Sequence, residues 1–182
     1  MEVRRATIED IEELARLEAL AFPKEEAASR ERIAERMMRF PDYCWILCEI
    51  GPNVPGTNVQ IGPNVPGTNG PKEETILAYI NGIATDEKDL QDSMYEDPAM
   101  HHADGKNLMI FSVVTNPLYL HRGYASYLMD FVIEDCRKSK QALVLTCKEH
   151  LVGFYQKFGY KEEGISVSSH GGATWHQMRY TY

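Results

Sequence analysis

The stretch LMIFSVVTNPLYLHRGYASYLMDFVIEDCRK, Leu108–Lys138, decides the fold. Leu108–Thr115 is apolar with several β-branched residues, as a buried strand requires. Asn116–Pro117 breaks that strand. From Leu128 the apolar residues fall at Leu128, Met129, Val132, Ile133 and Cys136, the spacing of a helix with one buried face. Arg137, Lys138 and Lys140 suit the negative pole at its end. Between strand and helix, Gly123 and Ala125 leave room for something to approach the backbone closely. A strand feeding a glycine turn that opens a helix presents unpaired N–H groups at a positive pole. This predicts a seat for the phosphates of a ligand. The turn carries neither the Gly-Lys-Ser/Thr of a nucleotide loop nor the three glycines of a dinucleotide fingerprint.

Working outward, Glu2–Ala6 can form a first strand, and Thr7 caps a helix whose apolar positions run Ile8, Ile11, Leu14, Ala15, Leu17 and Ala21. Ser29 starts a second helix through Arg39, with Ile33, Met37 and Met38 on its inner side. Tyr43–Ile50 reads as a strand and Thr75–Thr85 as its returning partner, with Gly82 a possible bulge. Between them IGPNVPGTN at Ile50 recurs eleven residues later at Ile61, a duplication whose proline and glycine content suits a surface hairpin loop at 51–70. Asp86–Lys106 is polar and long enough to be a lid over a site. After the central unit come a strand Ala142–Cys147, a short helix Glu149–Phe158, and strands near Tyr160–Val167 and Thr174–Tyr182. The order β-α-α-β-β-β-α-β-α-β-β predicts an α/β fold, a mixed sheet with helices on both faces, in a single domain over 1–182.

The chain has 182 residues, a net charge of −8, 43% hydrophobic and 25% charged residues. These values suit a globular domain with its own core, and the acidic balance gives a nucleic-acid partner no support. Cys44 and Cys48 would stand roughly 13 Å apart along a strand, too far to bridge. Neither Cys-x-x-Cys nor His-Glu-x-x-His occurs, so no metal site is expected. No leader is evident, and no apolar run approaches the roughly 20 residues that span a bilayer. The expectation is a cytoplasmic protein with reduced thiols and no membrane partner.

Leu120-His-Arg-Gly123-Tyr-Ala125 resembles the pyrophosphate loop of the GNAT superfamily of N-acetyltransferases, Gln/Arg-x-x-Gly-x-Gly/Ala, although Leu120 stands where Gln or Arg is usual. The element order agrees with that family over nearly the whole chain outside 51–70. A second motif, Cys147-x-x-x-Leu151-Val152-x-Phe154-Tyr155-x-x-Phe158, is similar to the serotonin (arylalkylamine) N-acetyltransferase branch. Lys148 and Leu151 depart from the Asn and Ala of the general family form.

The resemblance implies an acyltransferase that moves acetyl from acetyl-CoA directly to the primary amine of a small, arylalkyl-type acceptor, working as a monomer or homodimer. It implies that His121, Arg122, Gly123, Tyr124, Ala125 and Ser126 hold the pyrophosphate, and that Val113, Val114 and Thr115 pair with the pantetheine arm. The Val113 N–H would steady the oxyanion, and Tyr155 would protonate the leaving thiolate. That branch carries two proton-relaying histidines on the central strand. Here Met109 and Phe111 occupy those positions, which leaves His101 and His102 of the lid, after them His170 and His176 near the last hairpin, a water chain or a neutral amine to account for the proton. Phe111, Tyr79 and Trp45 could instead shape an apolar pocket. A CoA-binding module without catalysis and a protein N-terminal acetyltransferase remain the alternatives.

Overall fold

A computed structural model describes residues 1–51 and 74–182. In chain order it contains β1 (Glu2–Arg5), α1 (Ile11–Ala21), α2 (Arg30–Arg39), β2 (Cys44–Ile50), β3 (Glu74–Thr85), α3 (Ser93–Glu96), β4 (Asn107–Thr115), α4 (Tyr124–Arg137), β5 (Ala142–Cys147), α5 (Val152–Gln156), β6 (Lys161–Ile165) and β7 (His176–Tyr180). The strands form one sheet in the order β1-β2-β3-β4-β5-β7-β6. Among these pairings only β4 with β5 is parallel. The expected order of strands and longer helices is present, with α3 added inside the lid segment. Of the duplicated segment at 51–70, residues 52–70 lie outside the described residues.

Strand alternation divides the core. In β2, Trp45 and Leu47 pack with Leu128, Met129 and Val132 of α4, while Cys44, Ile46 and Cys48 pack with Leu14 and Leu17 of α1 and Ile33 of α2. The five α4 residues buried against the sheet are Leu128, Met129, Val132, Ile133 and Cys136. All four cysteines are free and buried. Among the described residues, no helix is long and apolar enough to cross a membrane.

Three local expectations change. Thr7 precedes a short 3-10 turn, Ile8–Asp10, where Asp10 closes a capping box before α1 begins. In α2 the buried stripe is Ile33, Arg36 and Met37, and Met38 is 69% exposed. The i, i+3, i+4 geometry of a helix turns Arg36 inward at the place the sequence pattern had assigned to Met38.

The bulge at Gly82 is also displaced. Asn81 pairs with Ser112 and Gly82 with Ile110, so the extra residue is Phe111 on the opposing strand β4. A Cβ at Gly82 would stand 2.1 Å from the Met109 carbonyl oxygen, which is why glycine faces the bulge. The lid segment packs into the sheet rather than standing over it alone: Leu90 and Met94 are buried with Ile83, Met109 and Val144.

Candidate active site

The parallel pairing of β4 and β5 stops at Ile110 with Leu145. Beyond it β4 stays with β3 through Thr115, and β5 stays with β7 through Cys147. The two strands therefore part in mid-sheet, and a cavity of about 220 Å³ opens at the fork. Ile110–Val113 and Leu145–Cys147 form its floor. The Phe111 bulge aims consecutive side chains, Phe111 and Ser112, at the helices α1 and α2. The aromatic ring lies 4.6 Å beneath the Arg36 guanidinium, and the Ser112 hydroxyl donates to Glu18 at 3.0 Å.

Glu18 is the polar centre of this cavity. It is 2% exposed, and Oε1 accepts from the Ala28 N–H at 3.1 Å as well as from Ser112. The Tyr79 hydroxyl donates to Oε2. Burial first, and the Glu18 charge after it, pushes the Tyr79 phenol well above its ordinary range. One carboxylate thus ties α1, β3, β4 and the loop after α1 together. Arg36 from α2 and Phe22, Glu26 and Arg32 from α1–α2 and its loop complete that wall.

The roof comes from distant segments. Tyr95 and Glu96 arrive from α3, and His170 and Trp175 from the loop before β7. The His170 and Tyr95 rings stack at 4.4 Å, and the Trp175 indole donates to the His170 carbonyl at 2.9 Å. Asp92 accepts from Ser168 and Ser169, which clasps the lid segment to that loop. Lys148 reaches across to Glu26 at 2.6 Å. These ties enclose the aromatic surfaces of Phe22, Tyr95, Phe111 and Trp175.

Tyr155 and Val113 both line this cavity. Tyr155 sits on α5 with its ring edge-on to Phe154 and Tyr160. Burial, with Cys147 adding a smaller effect, pushes its phenol above the ordinary value, so it holds its proton. Burial also pushes the Cys147 thiol up to about 12, which leaves it a poor nucleophile.

Past the cavity, where β4 ends at Thr115, lies the turn. Asn116 accepts from the Leu118 N–H at 3.1 Å and donates to the Ile76 carbonyl at 2.9 Å, anchoring the turn to β3. His121 (φ 60) and Gly123 (φ 80) are both left-handed. Gly123 is exposed, no side chain caps α4, and a Cβ at Gly123 would meet nothing within 4 Å. The first amides of α4 therefore lack a side-chain cap, and space is open beside Gly123. Tyr124, Ala125 and Ser126 form its first turn, half-buried; His121 and Arg122 are exposed, with Arg122 over the Tyr119 ring at 5.3 Å. Val114 is buried under β4 and Thr115 is half-buried at its end.

His101 and His102 stand outside the cavity lining. The His101 ring stacks on Phe40 at 4.6 Å, and Nδ1 accepts from the Ala84 N–H at 3.3 Å. Burial, then His102, lowers its pKa. Trp45 and Tyr79 are core residues, and Phe111 alone of the three suggested pocket aromatics lines the cavity. Glu18, Arg36, Ser112 and Trp175 were not foreseen as site residues, whereas His170, considered for the base, does line the cavity and His176 does not. A signal did exist for two of them: Glu18 falls on the stripe with Leu14 and Leu17, and Arg36 on that with Ile33. A charge inside an apolar stripe is buried for a reason. Among the described residues, no group of three or more His, Cys, Asp or Glu is placed to hold a metal.

The model of a family described as the acetyltransferase (GNAT) family matches residues 9–160. Among solved structures, the loading GNATL domain of CurA from Lyngbya majuscula superposes with a TM-score of 0.73 at 16% identity, over 99% of this chain and 96% of that one. The GphF GNAT-like decarboxylase in complex with isobutyryl-CoA gives 0.73 at 17% identity, over 100% and 99%. The PaiA N-acetyltransferase from Thermoplasma acidophilum in complex with coenzyme A gives 0.58 at 16%, over 100% and 98%. At such identities these likenesses establish the shared fold. No curated protein sequence matches the chain.

Proposed function

This chain belongs to the acetyltransferase (GNAT) family, and we propose that it transfers acetyl from acetyl-CoA directly to the primary amine of a small, arylalkyl-type acceptor. One observation carries the reading: Val113 and Tyr155 line one cavity at the β4–β5 fork, while β4 ends soon after, at Thr115, and leads through the turn to the first amides of α4. A CoA thioester laid along β4 puts its phosphates on the His121–Ser126 turn and its carbonyl beside Val113. Val113–Thr115 then serve as the edge that the pantetheine arm joins, as in strand addition.

In this mechanism the amine lone pair attacks the thioester carbonyl, the C–N bond forms and the C–S bond breaks. The Val113 N–H steadies the oxyanion. Tyr155 gives its proton to the departing thiolate and recovers one from solvent. For the ammonium proton, His101 and His102 lie outside the cavity, whereas Ser112 and Glu18 line it. Ser112 can take the proton while passing its own to the Glu18 carboxylate. The aromatic walls suit an arylalkyl group, and four buried free thiols fit the reducing cytoplasm we assign as its location.

The test is release of free CoA thiol over a panel of amines, with the acetylated product identified by mass. Turnover with small arylalkylamines is expected. CoA binding without thiol release on any amine would make the chain a CoA-binding module, and release only with peptide N-termini would make it a protein acetyltransferase.

A further inference from the structure

Arg36 is 5% exposed and lines the cavity, yet its Nη1 has no hydrogen-bond partner among the described residues. Its Nη2 donates to the Tyr95 carbonyl at 3.1 Å, and its guanidinium lies over Phe111. Glu18 is the carboxylate that opposes its charge most strongly, but the hydrogen bonds Glu18 accepts come from Ala28, Ser112 and Tyr79 rather than from Arg36. Burial lowers the Arg36 pKa, the expected response of a cation that has lost water without gaining a bonded anion. Buried donors in native proteins are almost always satisfied, and an exception beside a cavity calls for an acceptor. The guanidinium's planar fork matches a carboxylate better than any other common group.

We propose that Arg36 receives the carboxylate of the acceptor, which is therefore an aromatic amino carboxylate rather than a simple arylalkylamine; the inference rests on the amine-acetylation reading above. The position of Arg36 supports it. From the α2 wall it stands over Phe111, a residue of the floor segment beside which the thioester carbonyl is placed. An acceptor whose ring lies among Phe22, Tyr95 and Trp175 can set its carboxylate on Arg36 and its amine toward Ser112.

The experiment compares phenylalanine with phenethylamine, which differ by that carboxylate alone. With acetyl-CoA as donor, the wild-type enzyme is expected to favour phenylalanine in kcat/KM by roughly 10- to 100-fold, the range of a hydrogen bond to a charged group. Arg36→Met should collapse the ratio toward one, and Arg36→Lys should keep part of it. A merely structural arginine would lower both amines equally and leave the ratio intact, which would overturn the proposal. So would a wild-type preference for phenethylamine, a result that stands even if Arg36→Met fails to fold. Calorimetry with phenylalanine separates this inference from the reaction. Binding lost in the Arg36 variants without any turnover would retain the carboxylate site and reject the acetyl transfer. A second arm compares succinyl-CoA with butyryl-CoA as donors: discrimination there that depends on Arg36 would move the carboxylate to the acyl group and overturn its assignment to the acceptor.

Discussion

The turn that follows β4 and the cavity on the second half of that strand are built on opposite plans. After Thr115 the chain turns into α4, and the anion seat we propose would be made of consecutive backbone amides between His121 and Ser126. At Phe111–Val113 the cavity is made of side chains brought from α1, α2, α3, α5 and the loop before β7. The first depends on backbone angles and little on side chains. The second depends on individual groups: a phenol, a carboxylate, a hydroxyl and a guanidinium. Substitutions at the cavity should therefore act on chemistry and specificity, and substitutions at the turn on CoA affinity. Each prediction below tests that division.

The largest effect is expected at Tyr155. Tyr155→Phe removes the donor and keeps the ring packed against Phe154 and Tyr160, so kcat should fall by about 10²–10⁴-fold while calorimetric CoA affinity stays near wild type. Because the folded phenol titrates above its ordinary value, the wild-type rate should not decline from loss of this proton until well above about pH 10. The same upward shift means its contribution to stability is complete below the unfolded pKa and is lost as pH rises through the folded one. Wild-type kcat in the Tyr155→Phe enzyme, measured when chemistry limits the rate, would end the assignment.

Next comes Glu18. Glu18→Gln preserves volume and most hydrogen bonds but removes the proton acceptor, and should cost kcat about 10²-fold. Tyr79→Phe is the control, since Tyr79 bonds the same carboxylate from outside the cavity lining; its effect on kcat should be much smaller. If Glu18→Gln turns over normally while His101→Gln or His102→Gln loses the acidic limb of kcat/KM, the proton leaves through the lid instead.

This division also explains what could be read from the sequence. Strand, turn and helix lie within one continuous stretch and were legible together, down to the five buried residues of α4. Tyr155 was singled out because a motif of spaced residues running from the end of β5 past α5 carries it, and the fold puts it in the cavity lining. The cavity was not legible, because Glu18 and Ser112 are 94 residues apart and meet only once the sheet and α1 have packed. The bulge shows the limit most sharply. Gly82 signalled irregular pairing, but the register placed the extra residue on the opposite strand, where it turns Phe111 toward Arg36. Periodicity within one strand contains no information about the residue count of its partner. Met38 and Arg36 exchanged places because an apolar count favours the stripe of Ile33, Met37 and Met38 over the observed one of Ile33, Arg36 and Met37.

At the turn, Gly123→Val should weaken CoA binding by roughly 10- to 100-fold, since a β-branched residue at φ 80 carries about 1–3 kcal/mol of strain and its side chain fills the open seat. At saturating acetyl-CoA, kcat should be nearly unchanged. A loss of kcat with intact affinity would join the turn to the cavity and break the division.

The smallest effect is expected at Leu120, where the family pattern places Gln or Arg. Leu120 is 50% exposed, so an arginine there would meet the phosphates in water. Exposed pairs of this kind contribute about 0.2–1 kcal/mol, which corresponds to a gain in CoA affinity of no more than about fivefold. Since charges are screened over about 3 Å at 1 M salt, the gain from Leu120→Arg should vanish there, with kcat the same at both salt concentrations. The size of this effect is informative because the seat already has its α4 amides and left-handed turn without that side chain. A tightening well beyond tenfold would show that the backbone alone is an incomplete seat and that Leu120 marks a weakened CoA site. A gain of a few-fold, erased by salt, would leave the amides as the source of affinity and the cavity as the source of chemistry.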